Sequence, residues 1–123
     1  HSRRQFSIGS LLSNSLPQGL VLTECPISTA GGVKAVDVAW LSPSRPEISQ
    51  EPLVLTRAPE ICVEILSPSN TTSEIDEKRA LYFDAGATEV WICNLDGSIF
   101  FFVRPDLQRS TSPLCPSFPD RIP

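Results

Sequence analysis

The 123-residue chain contains no methionine and a single histidine, and no apolar run approaches the roughly 18 to 20 residues that a membrane span needs. It shows no basic-then-apolar leader of the signal-peptide kind. Starting at His1 without a methionine, it reads as a piece of a longer protein, with an N-terminal segment and a C-terminal end beyond it. Four cysteines, at 25, 62, 93 and 115, include no CxxC pair and no Cys/His spacing of a zinc site. Cys62 and Cys93 lie in apolar strand-like runs, where a free thiol behaves as a small hydrophobe. A reducing cytoplasm fits that usage. The formal charge of −4 argues against a broad electropositive surface able to hold duplex DNA unaided. It still admits a nucleic-acid enzyme whose metal, or whose partner chain, supplies the positive charge. Internal repeats and low-complexity tracts are absent.

What is present suits one globular domain spanning residues 1–123: apolar residues make up 41% of the chain and charged residues 20%, ordinary for a protein with a packed core. HSRRQFSIGSLLSNSL predicts an amphipathic helix weakened by Gly9 and its serines. GLVLTECPI and VKAVDVAWL predict two strands, with STAGG as the turn of a hairpin. SPSRPEISQEP is a polar, proline-bearing loop, expected to be the most mobile segment. PEICVEIL predicts a buried strand, and TTSEIDEKRALYFDAGA a helix capped by Ser73 with Asp76 and closed by Gly86. TEVWICNL and SIFFFVR flank Asp96-Gly97, a strong hairpin signal. From Pro105 onward the proline-rich tail is expected to wrap the surface or continue outward. Together these elements predict an α/β (α+β mixed) fold: a central mixed sheet with helices packed on it.

Three polar residues interrupt apolar patterns. Glu64 stands among Ile61, Cys62, Val63, Ile65 and Leu66, and a buried, unpartnered carboxylate costs several kcal/mol or takes up a proton. Strand alternation places Glu64 with Glu60, Cys62 and Leu66, opposite Ile61, Val63 and Ile65. Asp37 has the same character in VKAVDVAWL, sharing its face with Val33, Ala35, Ala39 and Leu41. On the second helix, with Ile75 at zero, Lys78 falls at about 300°, inside the apolar arc of Tyr82, Ala85 and Leu81. A lysine there either lays its stem along apolar surface and reaches water, or meets an acid. If the hairpin turns at Ala30-Gly31, Glu24 pairs with Asp37; otherwise it faces solvent. Two or three carboxylates with one lysine suit a hard divalent ion such as Mg²⁺ and the chemistry of phosphate. Partial burial would lower the pKa of Lys78 enough for proton transfer.

VDVAW, then APEICVEILSPSN, then SEIDEKRALYFDAGATEVWI and a hairpin of aromatic residues, resemble the Uma2 family of proposed restriction endonucleases in the PD-(D/E)XK nuclease superfamily. The resemblance runs from about Gly19 to Phe102 and is most specific from Pro59 to Trp91. It implies a restriction-endonuclease-like mixed sheet with the site at one end, in a family abundant in photosynthetic bacteria. It also implies a metal-dependent endonuclease using Mg²⁺ or Mn²⁺ on a DNA substrate. Asp37 then matches the metal-binding aspartate, Glu64 the (D/E) position, the Ile65 backbone carbonyl a further ligand, and Lys78 the helix-borne lysine; Glu24 is an additional candidate. Two departures stand out: Val36 replaces the proline before the aspartate, and Leu66 occupies the place of the strand lysine. His1 aligns with a polar residue on the family's first helix. Ser67 and Ser69 read first as a strand-to-helix turn and second as site-lining residues.

Three functions compete. One is DNA hydrolysis at Asp37 and Glu64, with Lys78 orienting the attacking water. The second is a nuclease-like module without catalysis that binds nucleic acid or regulates. The third is a structural ion-pair network. Direct Glu64–Lys78 pairing with no open space beside it would favour the third. Homodimerisation, common where both strands are cut, would suit an exposed Phe100-Phe101-Phe102 run; the same run also fits one strand alternating between core and surface.

Overall fold

The chain's β-branched and aromatic runs form one sheet, and the two apolar-striped segments form helices on its opposite faces. The structure is a computed structural model and describes residues 2–49 and 55–123. Helix α1 (Ser2–Ser15) precedes strands β1 (Leu20–Thr29) and β2 (Gly32–Leu41), followed by β3 (Ile61–Ile65), helix α2 (Thr72–Asp84), β4 (Glu89–Cys93), β5 (Ile99–Arg104) and β6 (Leu107–Arg109). The six strands lie side by side in chain order. All neighbours are antiparallel except β3 and β4, which run parallel because α2 carries the chain back between them. The expected mixed sheet is therefore observed, with the short β6 as an addition.

Two apolar layers cover the sheet. On one side Ile8 and Leu12 of α1 pack with Val38, Trp40, Ile61, Val63, Ile65, Trp91 and Phe101. On the other, Ile75 and Tyr82 of α2 pack with Ala39, Cys62, Val90, Ile92 and Phe102. Phe101 and Phe102 thus face opposite layers while Phe100 is 37% exposed, so the aromatic run alternates within one strand. All four cysteines are free and buried.

Alternation fails at one place, and it is informative. Leu22, Cys25 and Ile27 of β1 and Val36, Ala39 and Leu41 of β2 all pack on the α2 side. Each strand therefore takes a three-residue step, from Leu22 to Cys25 and from Val36 to Ala39. The break falls at Glu24, whose φ of 50° lies in the left-handed region that non-glycine residues rarely adopt. Pairs Thr23–Val38 and Cys25–Val36 keep the register on either side, so Glu24 lies opposite Asp37 as the hairpin turn predicts. Val33 and Ala35, expected on the buried face with Asp37, are exposed because of this step.

One other expectation is corrected. The cap of α2 is Thr71, not Ser73: Thr71 Oγ1 accepts the Glu74 N–H at 3.2 Å while Glu74 Oε1 accepts the Thr71 N–H at 3.0 Å. That reciprocal box satisfies two amides at once, which the shorter Asp76 offers no equivalent of. Gly86 does close the helix, at φ 107°, with Ala87 N–H returning to Tyr82 O at 3.0 Å. The loop after β2 is held, as far as it is described, by Arg45. Its buried guanidinium donates to Glu47, Glu60 and the carbonyls of Arg57 and Ala58; residues 50–54 lie outside the described residues.

The tail does more than wrap the surface. Cys115, Phe118 and Ile122 enter the α1-side core, and Phe118 stacks on Trp91 with ring centroids 4.6 Å apart. Buried Glu89 fastens the same segment, accepting from Trp91 Nε1 at 2.9 Å, Ser112 Oγ at 2.6 Å and Leu114 N–H at 2.7 Å. Proline content suggested an exposed path; three well-spaced apolar residues override it. Phe118→Ala is expected to cost about 3–5 kcal/mol, as for other buried phenylalanines. Urea unfolding would read this as a lower midpoint at unchanged slope, whereas a wild-type midpoint would return the tail to the surface.

Candidate active site

The site forms where β2 and β3 part. Their ladder pairs Trp40, Ala39 and Val38 with Ile61, Cys62 and Val63, then stops. The next residues, Asp37 and Glu64, exchange side chains for backbone. Glu64 Oε2 accepts the Asp37 N–H at 3.2 Å, and Asp37 Oδ2 accepts the Ile65 N–H at 2.8 Å. Each carboxylate thus replaces a ladder bond lost by the divergence, which keeps the buried amides satisfied.

Glu64 is 3% exposed and lies at the carboxyl end of β3, facing α2. Its Oε1 receives Lys78 Nζ at 2.9 Å, and its Oε2 also receives the Tyr82 hydroxyl at 3.2 Å. Lys78 and Tyr82 stand one helical turn apart on α2, so both project toward the strand. Lys78 therefore reaches the acid rather than passing it for water, although a third of its side chain remains exposed. Glu77 and Asp84 face solvent, as the helical spacing predicts.

From α1, Gln5 Nε2 donates to Glu24 Oε2 at 2.9 Å and to the Asp37 carbonyl at 2.8 Å. Glu24 is in turn a side-chain hydrogen-bond partner of Asp37. The backbone step at Glu24 and the amide of Gln5 together turn this third carboxylate toward Asp37.

Burial dominates the electrostatics. It raises the pKa of Asp37 against the opposing influence of the Ile65 amide, the Lys78 charge and Glu24. Burial followed by the charge of Asp37 raises that of Glu64, and Lys78 only partly offsets this. For Lys78, burial would favour the neutral amine, but the Glu64 hydrogen bond and charge outweigh it, so its pKa is raised. The direction is thus opposite to the expected lowering: beside Glu64 the ammonium form of Lys78 is favoured. Tyr82 is held firmly neutral by burial and by Glu64.

The structure brings Asp37, Glu64, Lys78 and Glu24 into one cluster, with Ile65 contributing through its amide. Among the described residues no three His, Cys, Asp or Glu side chains are grouped as a ready metal cage. His1 lies outside the described residues. Ser67 and Ser69 form the turn, with Ser67 N–H and Oγ both donating to Asn70 Oδ1. Leu66, at the place of the strand lysine, packs against the α2-side core. Tyr82 and Gln5 were missed by sequence reasoning. A tyrosine in an apolar stripe does signal a need for a hydroxyl partner, whereas Gln5 carries no such mark.

The family model described as "Putative restriction endonuclease", Uma2, matches residues 1–120. The chain belongs to the Uma2 family. Among solved structures, this Uma2 chain is similar to a protein from Anabaena variabilis described as a putative nuclease belonging to DUF820. The TM-score is 0.74 at 20% sequence identity, covering 87% of the Uma2 chain and 63% of the other. At that identity the likeness is one of fold, and the Uma2 chain spans less than two thirds of that protein's length. No curated protein matches it. Among the described residues no helix is long and apolar enough to cross a membrane.

The raised pKa of Glu64 sets a sign for stability against pH. Protonated in the folded state more readily than in the unfolded chain, Glu64 adds no penalty at or below the usual glutamate value of 4.5. Stability is lost as pH rises from there through the raised folded value, and then levels off. In metal-free protein, the difference in unfolding free energy between wild type and Glu64→Gln should therefore shrink from acid toward neutral pH. Chemical denaturation across that window checks it; a difference that grows with pH would mean that Lys78 governs the titration.

Proposed function

We propose that this Uma2 chain is a divalent-metal-dependent deoxyribonuclease that hydrolyses DNA phosphodiester bonds in a bacterial cytoplasm. The observation that carries the reading is the exchange of backbone amides between Asp37 and Glu64 with the Lys78 ammonium beside them. The donor set suits a hard ion such as Mg²⁺ or Mn²⁺, which needs only one or two carboxylates and keeps several waters. Burial raises the pKa of both acids, and a dication between them would relieve that penalty. Asp37, Glu64 and the Ile65 carbonyl would hold it, with Glu24 as an outer carboxylate. When bound, the ion supplies polarisation of a phosphoryl oxygen and an acidified water.

This chain's own groups do the rest. Lys78, its ammonium form favoured by Glu64, orients the attacking water and offsets charge developing on phosphorus. Tyr82 locks the Glu64 rotamer, and Gln5 sets Glu24. Lys78 already donates to Glu64 Oε1, so an ion held by Glu64 would share that carboxylate with the ammonium.

A second reading is favoured by a specific observation: Glu64 already has a protein donor on each oxygen. On that reading the cluster is a buried ion pair in a nuclease-like module that binds nucleic acid without cutting it. Cleavage of plasmid and single-stranded DNA with Mg²⁺ or Mn²⁺ separates the two. Glu64→Ala should abolish cutting, and Lys78→Ala should slow it about 10²–10³-fold, as for other preorganised electrostatic donors. Cutting that survives both substitutions removes the mechanism.

Thermal unfolding gives an independent check. A metal at a hundred times its Kd stabilises by about 2.7 kcal/mol, so Mg²⁺ should raise the Tm of wild type but not of Asp37→Asn or Glu64→Gln. An unresponsive wild-type Tm favours the structural ion pair.

A further inference from the structure

Two arginines open α1 where the helix macrodipole makes cations unwelcome. Arg3 and Arg4 lie in its first turn, which contains no acidic residue. Among the described residues neither guanidinium is ion-paired, although the chain carries more acids than bases. Arg4 is nonetheless fixed, its Nη1 donating to the carbonyls of Leu95 at 2.7 Å and Asn94 at 3.2 Å in the β4–β5 turn. Both arginines line a cavity of about 290 Å³ whose other walls are Ile65, Leu66 and Pro123. Ile65 and Leu66 directly follow Glu64, so the cavity adjoins the carboxyl end of β3, where the candidate site sits.

We infer that this cavity is a phosphate subsite, in which Arg3 and Arg4 grip a backbone phosphate of the nucleic acid next to the one at Glu64. The inference rests on the nuclease reading for its substrate and deepens it. Arginine suits the role because its planar fork offers paired donors to phosphate oxygens and stays charged at any relevant pH. Pre-fixing of Arg4 by two carbonyls spares the ordering cost of one long side chain on binding. The unpaired charge at the helix N-terminus, unfavourable in the empty protein, is relieved when a phosphate arrives. The apolar floor of Ile65 and Leu66 offers no base-reading group, so the subsite positions the strand without choosing its sequence. It also places two positive charges beside the site in a chain that carries more acids than bases.

The test is salt-dependent binding of labelled duplex and single-stranded DNA by anisotropy, without divalent ions so that no hydrolysis intervenes. Each lost phosphate contact reduces the slope of log K against log salt by about 0.9 on duplex and about 0.7 on single strands. Arg3→Ala, at an exposed position with no hydrogen-bond or ion-pair partner among the described residues, and Arg4→Ala should each reduce the slope by that amount. Arg109→Ala, on the far edge strand β6, should keep the wild-type slope. An unchanged slope in Arg3→Ala and Arg4→Ala, an equal fall in Arg109→Ala, or no binding by wild type at low salt overturns the subsite. A reduced slope in a protein that never cuts DNA upholds the subsite and removes the nuclease reading instead. Cutting that depends on Glu64 with an unchanged slope does the reverse.

Discussion

The exchange between Asp37 and Glu64 is the constraint on which the rest depends. Two antiparallel strands part, and an unpaired buried amide would cost about 1–3 kcal/mol on each side of the gap. Each strand instead lends a carboxylate to the other's backbone. Separation of the strands and placement of the acids are therefore one event: the acids are needed where the ladder fails, and the ladder fails where the acids sit. Everything nearby follows that geometry, from the backbone step at Glu24 to the approach of Lys78 and Tyr82 from α2.

The same logic of satisfied buried charge recurs at two further points. Arg45 and Glu60 tie the loop after β2 to the entry of β3, and Glu89 ties the tail to β4. At the first, the Arg45 guanidinium lies between Glu47 and Glu60 and lowers the pKa of both; at the second, Glu89 is held by neutral donors. At Glu64, in contrast, burial and the charge of Asp37 both raise the carboxyl pKa, which gives that cluster, and not the other two, chemical leverage over an ion.

Much of the fold was legible because punctuation and periodicity agreed: Asp96-Gly97, Gly86 and the Ala30-Gly31 turn each stood between runs of clear type. Asp37, Glu64 and Lys78 were legible for the opposite reason, since each contradicts its surroundings. Tyr82 signals a need for some hydroxyl partner, but the sequence does not say that the partner is Glu64. Gln5 was hidden because its partners lie on strands whose register must be known first. The direction of the Lys78 shift depended on a distance, as burial and an adjacent acid push an amine opposite ways. The tail misled because prolines mark backbone conformation, whereas Cys115, Phe118 and Ile122 report burial only once their spacing meets a real surface.

The tail also bears on how the molecule is made. Ile8 and Leu12 share one core layer with Phe118 and Ile122, separated by nearly the whole chain. That layer stays unsealed during synthesis until residues 115–122 emerge, leaving Trp91, against which Phe118 packs, partly uncovered on a sheet already able to form. Such a topology has high contact order and folds slowly, with a sticky nascent intermediate. A pause or truncation shortly before Cys115 would therefore yield a chain with an intact Asp37–Glu64 centre and an aggregation-prone opposite face.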